Sequence, residues 1–131
     1  MLPTRIALLL RSQIGERFSP AWAFEVERAL EFEPSGVHIA LRREDGDLAA
    51  FAAHDGNNQG LGWFGPGGTF EAHRRRGLGE GLLVACLVDI ANAGLSTCTV
   101  AWIGPRGFYE RAAGVRSDRF YTVMRKDLRT T

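Results

Sequence analysis

The stretch His73-Arg74-Arg75-Arg76-Gly77-Leu78-Gly79-Glu80-Gly81-Leu82-Leu83 decides how this chain is read. A glycine-rich segment with strand character precedes it. After it, Leu78, Leu82, Leu83, Cys86, Leu87 and Ile90 recur at helical spacing. A strand, a small-residue turn and a helix N-terminus together make an anion site. First-turn N–H groups lack intrahelical partners, the helix dipole adds partial positive charge, and glycines admit a phosphate to the backbone. Three arginines add charge beside the turn. The stretch predicts a phosphate-bearing ligand; a solvated basic turn or a small nucleic-acid patch are its other readings.

Working outward, the period is two on the N-terminal side. Leu61 to Phe70 reads as a third strand and Leu48 to His54 as a second. In the first, Val37, Ile39 and Leu41 alternate with His38, Ala40 and Arg42. Turns at Glu44-Asp45-Gly46-Asp47 and at Asp55 to Gly60 join them. Two helices come earlier. Thr4 is placed to cap the first, which runs to about Ile14, has Ile6, Leu9, Leu10 and Ile14 as candidates for its buried face, and ends at Gly15. Ser19-Pro20 supplies an N-cap and a first-turn proline for the second. Its buried face carries Trp22, Val26, Ala29 and Leu30, with Glu25, Glu27 and Arg28 off that face. Beyond the central helix, Ser96 to Ile103 reads as a buried-type strand, Arg106 to Ala113 as a short helix, and Phe120 to Met124 as a last strand. This order predicts an α+β (mixed α/β) fold with helices covering a mixed sheet.

The 131 residues suit one domain spanning 1–131. A net charge of +1 provides no global field toward nucleic acid or an anionic membrane. Cys86 and Cys98 sit singly in apolar stretches, as buried free thiols do, rather than as a disulfide or a metal site. Ile6 to Leu10 is too short for a signal peptide's apolar core, and no stretch reaches the roughly 20 apolar residues of a membrane span. A cytoplasmic protein is the default expectation.

Two segments resemble the motifs of one superfamily. Arg74-x-x-Gly77-x-Gly79 resembles the Gln/Arg-x-x-Gly-x-Gly/Ala turn of GNAT acetyltransferases, and Phe108-Tyr109-Glu110-Arg111-Ala112-Ala113-Gly114 resembles that family's Phe-Tyr-Glu-x-x-Gly helix. The resemblance implies a central, mostly antiparallel mixed sheet with a splayed strand pair, flanked by helices. It implies acetyl-coenzyme A (acetyl-CoA) as cosubstrate, no metal, and direct acetyl transfer to the amine of a small molecule or peptide. No nucleic-acid or membrane partner is implied, and a homodimer is compatible with it. By this resemblance the backbone of Arg75, Arg76, Gly77, Leu78, Gly79 and Glu80 cradles the pyrophosphate, and an arginine side chain, Arg74 among them, adds charge. Gly67, Gly68 and Thr69 receive the pantetheine arm and the thioester carbonyl. Tyr109 protonates the departing thiolate.

On the residues alone, Gly65-Pro66-Gly67-Gly68 is a poor composition for a central strand. It marks a bulge, a close backbone approach or a surface loop. Two positions depart from the family. Trp102 stands where many members have asparagine, and Trp63 where some carry a glutamate base. Leu61 to Phe70 holds no acid or base, so that role falls to His54, Asp55, His73 or a water relay; an exposed turn histidine is the other reading of His54. Trp63, Phe64 and Trp102 are candidates for an acceptor pocket or for core. The family's usual first strand is not evident before the first helix, as in a domain trimmed or cut from a longer tandem protein. The alternative function is accordingly a non-catalytic acyl-CoA-binding sensor or structural domain of a tandem protein.

Overall fold

Ser19 and Pro20 act as their types predict. The Ser19 hydroxyl accepts from the Trp22 N–H at 3.1 Å, and Pro20 opens helix α2 (Pro20–Glu31). The computed structural model describes residues 3–101 and 103–130. Helix α1 (Thr4–Arg17) departs from expectation at both ends. Pro3 rather than Thr4 stands at the N-cap, with no side-chain cap, and the helix runs through Gly15 to Arg17. Gly15 lies in the helix facing α2, where a Cβ would meet that of Ala23 at an ordinary contact distance of 3.9 Å. Packing of α1 on α2 outweighs glycine's helical cost of about 1 kcal/mol.

Strands β1 (Val37–Leu41), β2 (Leu48–His54) and β3 (Trp63–Thr69) pair antiparallel in chain order, and β4 (Thr99–Val100) lies parallel beside β3. Alternation sorts their side chains between two cores. Val37, Phe51 and Ala53 pack with Leu10, Ile14 and Val26 of the first two helices. Ala52 and Phe64 pack with Leu83 and Cys86 of α3 (Leu78–Asn92). Helix α4 (Arg106–Ala113) joins this second core through Phe108, Tyr109 and Ala112. The outcome is the α+β architecture expected, a mostly antiparallel mixed sheet between helical layers.

The departures cluster around β3. Ala52 pairs with Gly67 but His54 with Phe64, so Gly65 and Pro66 together oppose Ala53. That is a β-bulge, and it bends the strand. β4 consequently holds β3 only at Trp63↔Thr99 and Phe64↔Val100, and the strand expected over Ser96 to Ile103 shrinks to two residues. The strand expected over Phe120 to Met124 does not form. Its residues join no ladder, and Phe120, Tyr121, Val123 and Met124 are 93%, 81%, 73% and 87% exposed. Strand propensity alone does not make a strand, and β4, the sheet's last strand, offers only two residues to pair with. No helix among the described residues is long and apolar enough to cross a membrane.

Candidate active site

From Gly65 to Thr69, β3 has β2 on one side and, among the described residues, no strand on the other. The backbone groups pointing away from β2 therefore have no ladder partner, so the pair β3–β4 is splayed. Arg74 bounds this open edge by donating from Nε to the Thr69 carbonyl at 3.0 Å. The glycines here also have a packing reason. A Cβ at Gly68 would lie 2.8 Å from Phe18 Cζ and 3.1 Å from Phe51 Cε1.

After β3 a 3-10 turn (Glu71–His73) leads into the basic run. Arg75 takes φ 67° and Gly77 φ 73°. A left-handed arginine costs about 1–3 kcal/mol, so the surroundings impose this turn. Gly77 is the N-cap of α3, and no side chain caps the helix. The first backbone bond of α3 runs from the Gly81 N–H to the Gly77 carbonyl at 3.1 Å. The N–H groups of Leu78, Gly79 and Glu80 are thus left without helical partners and face the preceding turn.

Two cavities meet at this edge. The smaller, of about 440 Å³, is lined by Gly67, Gly68, Thr69, Arg74, Gly79 and Tyr109, with aromatic walls from Phe18 and Phe108. The larger, of about 580 Å³, runs along α2 past Ser19, Trp22, Glu25 and Trp63. Phe64, Gly67, Pro105 and Tyr109 line both. Of the residues expected at the site, Arg75, Arg76, Gly77, Leu78 and Glu80 line neither cavity and belong to the turn and the first turn of α3 beside the smaller one. Trp102 lies outside the described residues.

Tyr109 stands at the junction. Its ring meets Phe64 and Phe108 edge-on, at centroid distances of 6.1 and 5.1 Å. Among the described residues its hydroxyl has no hydrogen-bond partner, so it is available to a ligand. Burial pushes its pKa above the usual phenol value, and Cys98 adds to the rise. The phenol keeps its proton at neutral pH and is suited to donate it. Neither cysteine offers a thiolate. Burial raises Cys86 to about 12, with Asp89 contributing, and burial also raises Cys98.

The base candidates from sequence fare differently. His54, Asp55 and His73 line neither cavity. His54 is no exposed turn residue; its side chain is 11% exposed and lies between Asp55 and Asp89. His73 is buried, with Nε2 3.4 Å from Asp47. The carboxylate that does line the larger cavity is Glu25. Sequence reasoning passed over it as merely off the buried face of its helix. Its signal was the spacing Ser19, Trp22, Glu25, one stripe of α2.

Among solved structures the chain resembles an acetyltransferase of Trypanosoma brucei, with a TM-score of 0.63 and 15% identity, covering 97% of this chain and 96% of that one. It also resembles a ribosomal-protein-alanine N-acetyltransferase of Brucella melitensis biovar Abortus 2308, with a TM-score of 0.61 and 18% identity over 95% and 96%. No family model matches the sequence, and no curated protein matches it. At these identities the likeness speaks for architecture, and the chain has the fold of the GNAT acetyltransferases.

Proposed function

We propose that the described residues act as one acetyltransferase domain that moves an acetyl group from acetyl-CoA to an amine by direct attack. The observation that carries this is the placement of Tyr109 where the two cavities join. The residues present fit the cosubstrate. An uncapped helix N-terminus beside arginines suits a pyrophosphate, and an unpaired strand edge suits an amide-bearing arm that pairs like an added strand. Acetyl-CoA supplies the acyl group as an activated thioester. The backbone from Arg75 to Glu80 holds the pyrophosphate, with Arg74 at its flank. The edge at Gly67, Gly68 and Thr69 holds the pantetheine, and an amide donor there stabilises the oxyanion that forms on attack. Tyr109 holds a proton for the departing sulfur. In the larger cavity Glu25 attracts an ammonium group and accepts the proton it must shed before attack. Trp22 and Trp63 flank that position and favour an acceptor with an apolar body.

A second reading, a non-catalytic acyl-CoA-binding module, is favoured by the lack of any acid or base on β3. Both readings require the cosubstrate to bind. Acetyl-CoA at about 100 times its dissociation constant should stabilise the fold by about 2.7 kcal/mol in a thermal-shift titration, and adenosine diphosphate by less at equal concentration. No shift with millimolar acetyl-CoA would rule out both. Thiol release on adding a panel of amines selects the enzyme.

A further inference from the structure

On the far side of the sheet from α1 and α2, four titratable side chains converge from three elements. His38 comes from β1, His54 from the end of β2 with Asp55 just after it, and Asp89 from α3. None of the four lines either cavity. His38 Nε2 lies 2.6 Å from Asp89 Oδ2, and His54 Nε2 lies 3.0 Å from the same oxygen. The other nitrogen of His54, Nδ1, lies 2.6 Å from Asp55 Oδ2. The second Asp55 oxygen accepts from the Gly62 N–H at 2.8 Å. Gly36 closes the back of the group, since a Cβ there would strike the His54 carbonyl and come within 3.3 Å of its ring.

Two imidazole nitrogens, His38 Nε2 and His54 Nε2, thus converge on one carboxylate oxygen, Asp89 Oδ2, from three separate elements.

The geometry points to a metal. We propose that His38 Nε2, His54 Nε2 and the Asp89 carboxylate form a site for a divalent transition-metal ion of the zinc class, with Asp55 orienting His54. The three ligand atoms lie within 4.8 Å of one another, the one such group among the described residues. Two imidazoles and a carboxylate suit Zn²⁺ better than Ca²⁺ or Mg²⁺, which prefer all-oxygen shells. A carboxylate holding the remote N–H of a ligating histidine is the usual outer partner in such sites. The side chains of His38 and Asp89 are 32% and 35% exposed, which leaves an entry path and room for a water ligand. The bound ion clasps α3 to β1 and β2. Through Asp55 and Gly62 it also steadies the start of β3, without touching the acetyl-transfer cavities. The site therefore stands or falls independently of the acetyltransferase reading.

The test uses the full chain after chelator treatment, titrated with Zn²⁺ by calorimetry and with Co²⁺ by absorption. One saturable site, a raised melting temperature, and a Co²⁺ spectrum without a thiolate charge-transfer band are expected. His38→Ala and Asp89→Asn should each weaken Zn²⁺ at least tenfold. Asp89→Asn still accepts hydrogen bonds, so it guards against an unfolded variant. Asp55→Asn keeps a residue type that tolerates the left-handed backbone seen there (φ 59°), and should weaken binding by about 10–100-fold. Cys98→Ser should change nothing. Absence of saturable binding to the wild-type chain overturns the proposal and leaves the cluster as hydrogen bonds between the two histidines and the two carboxylates. Equal affinity in His38→Ala and Asp89→Asn overturns it too, as does a thiolate band.

Discussion

The chain up to Ile90 and the chain after it are built in opposite ways. Every buried residue among those described lies at or before Ile90; none follows it. The first region carries two cores, the bulged strand and the uncapped helix. The second contributes a two-residue strand, a helix with no buried residue, and an exposed tail. Yet Tyr109, the proposed proton donor, rides on the second. The buried packing thus lies in the first region, while the proposed proton donor is held by partial contacts of Phe108 and Tyr109 with Phe64 and the α3 core. Stability and catalysis should therefore respond to different substitutions.

The largest expected effect tests that separation directly. Tyr109→Phe removes a hydroxyl with no hydrogen-bond partner among the described residues, so melting temperature and acetyl-CoA affinity should hold. Turnover should fall by about 10²–10⁴-fold, the range of a general acid. A rate unchanged by the substitution would favour the binding-module reading. The pH profile sharpens the point. Burial raises the Tyr109 pKa, so the neutral phenol persists through its usual value of about 10 and is lost only above it. Any decline in rate between about pH 8 and 10 that Tyr109→Phe abolishes would contradict this assignment.

On the other side, Phe51→Ala should cost about 3–5 kcal/mol, as for other fully buried aromatics. Phe51 packs against Phe18, Trp22 and Phe70, which also places the walls of both cavities. Denaturant midpoints measure the loss. A cost as small as that of a tail substitution would erase the contrast between the two regions.

How much of this was legible follows the same division. Ser19-Pro20, the alternation of Val37 and Ile39, and the apolar repeat of α3 each announce their element locally, and the structure has them where expected. The short helix Arg106–Ala113 was equally plain, because Pro105 and Gly114 punctuate it. Phe120 to Met124 misled because strand propensity says nothing about how long a neighbouring strand is, and β4 has two residues. Ser96 to Ile103 was overdrawn because its length depends on a bulge in another strand. Of the residues singled out by contiguous motifs, Gly67, Gly68, Thr69, Arg74, Gly79 and Tyr109 do line one cavity. Glu25 and the His38–His54–Asp89 group were not legible, since they assemble only when distant segments pack.

Gly68→Ala separates two reasons for one glycine. Sequence suggested a backbone left bare for a ligand; packing places Phe18 and Phe51 where a side chain would go. The methyl should cost about 1–3 kcal/mol as overpacking, seen as a lower melting temperature without any ligand. Loss of acetyl-CoA affinity at unchanged stability would return the glycine to the ligand.

The smallest effect is expected in the tail. Phe120 is 93% exposed and meets no core, so Phe120→Ser should shift stability by less than about 0.5 kcal/mol. The comparison with Phe51→Ala is useful because both remove the same ring. If burial alone sets the cost, their ratio measures how far the chain after Ile90 stands outside the cooperative fold. A loss at Phe120 of several kcal/mol would mean that the tail packs in solution, against this chain or a second copy. The line drawn at Ile90 would then have to move toward the C-terminus, and α4 with its Tyr109 would count among the well-anchored elements.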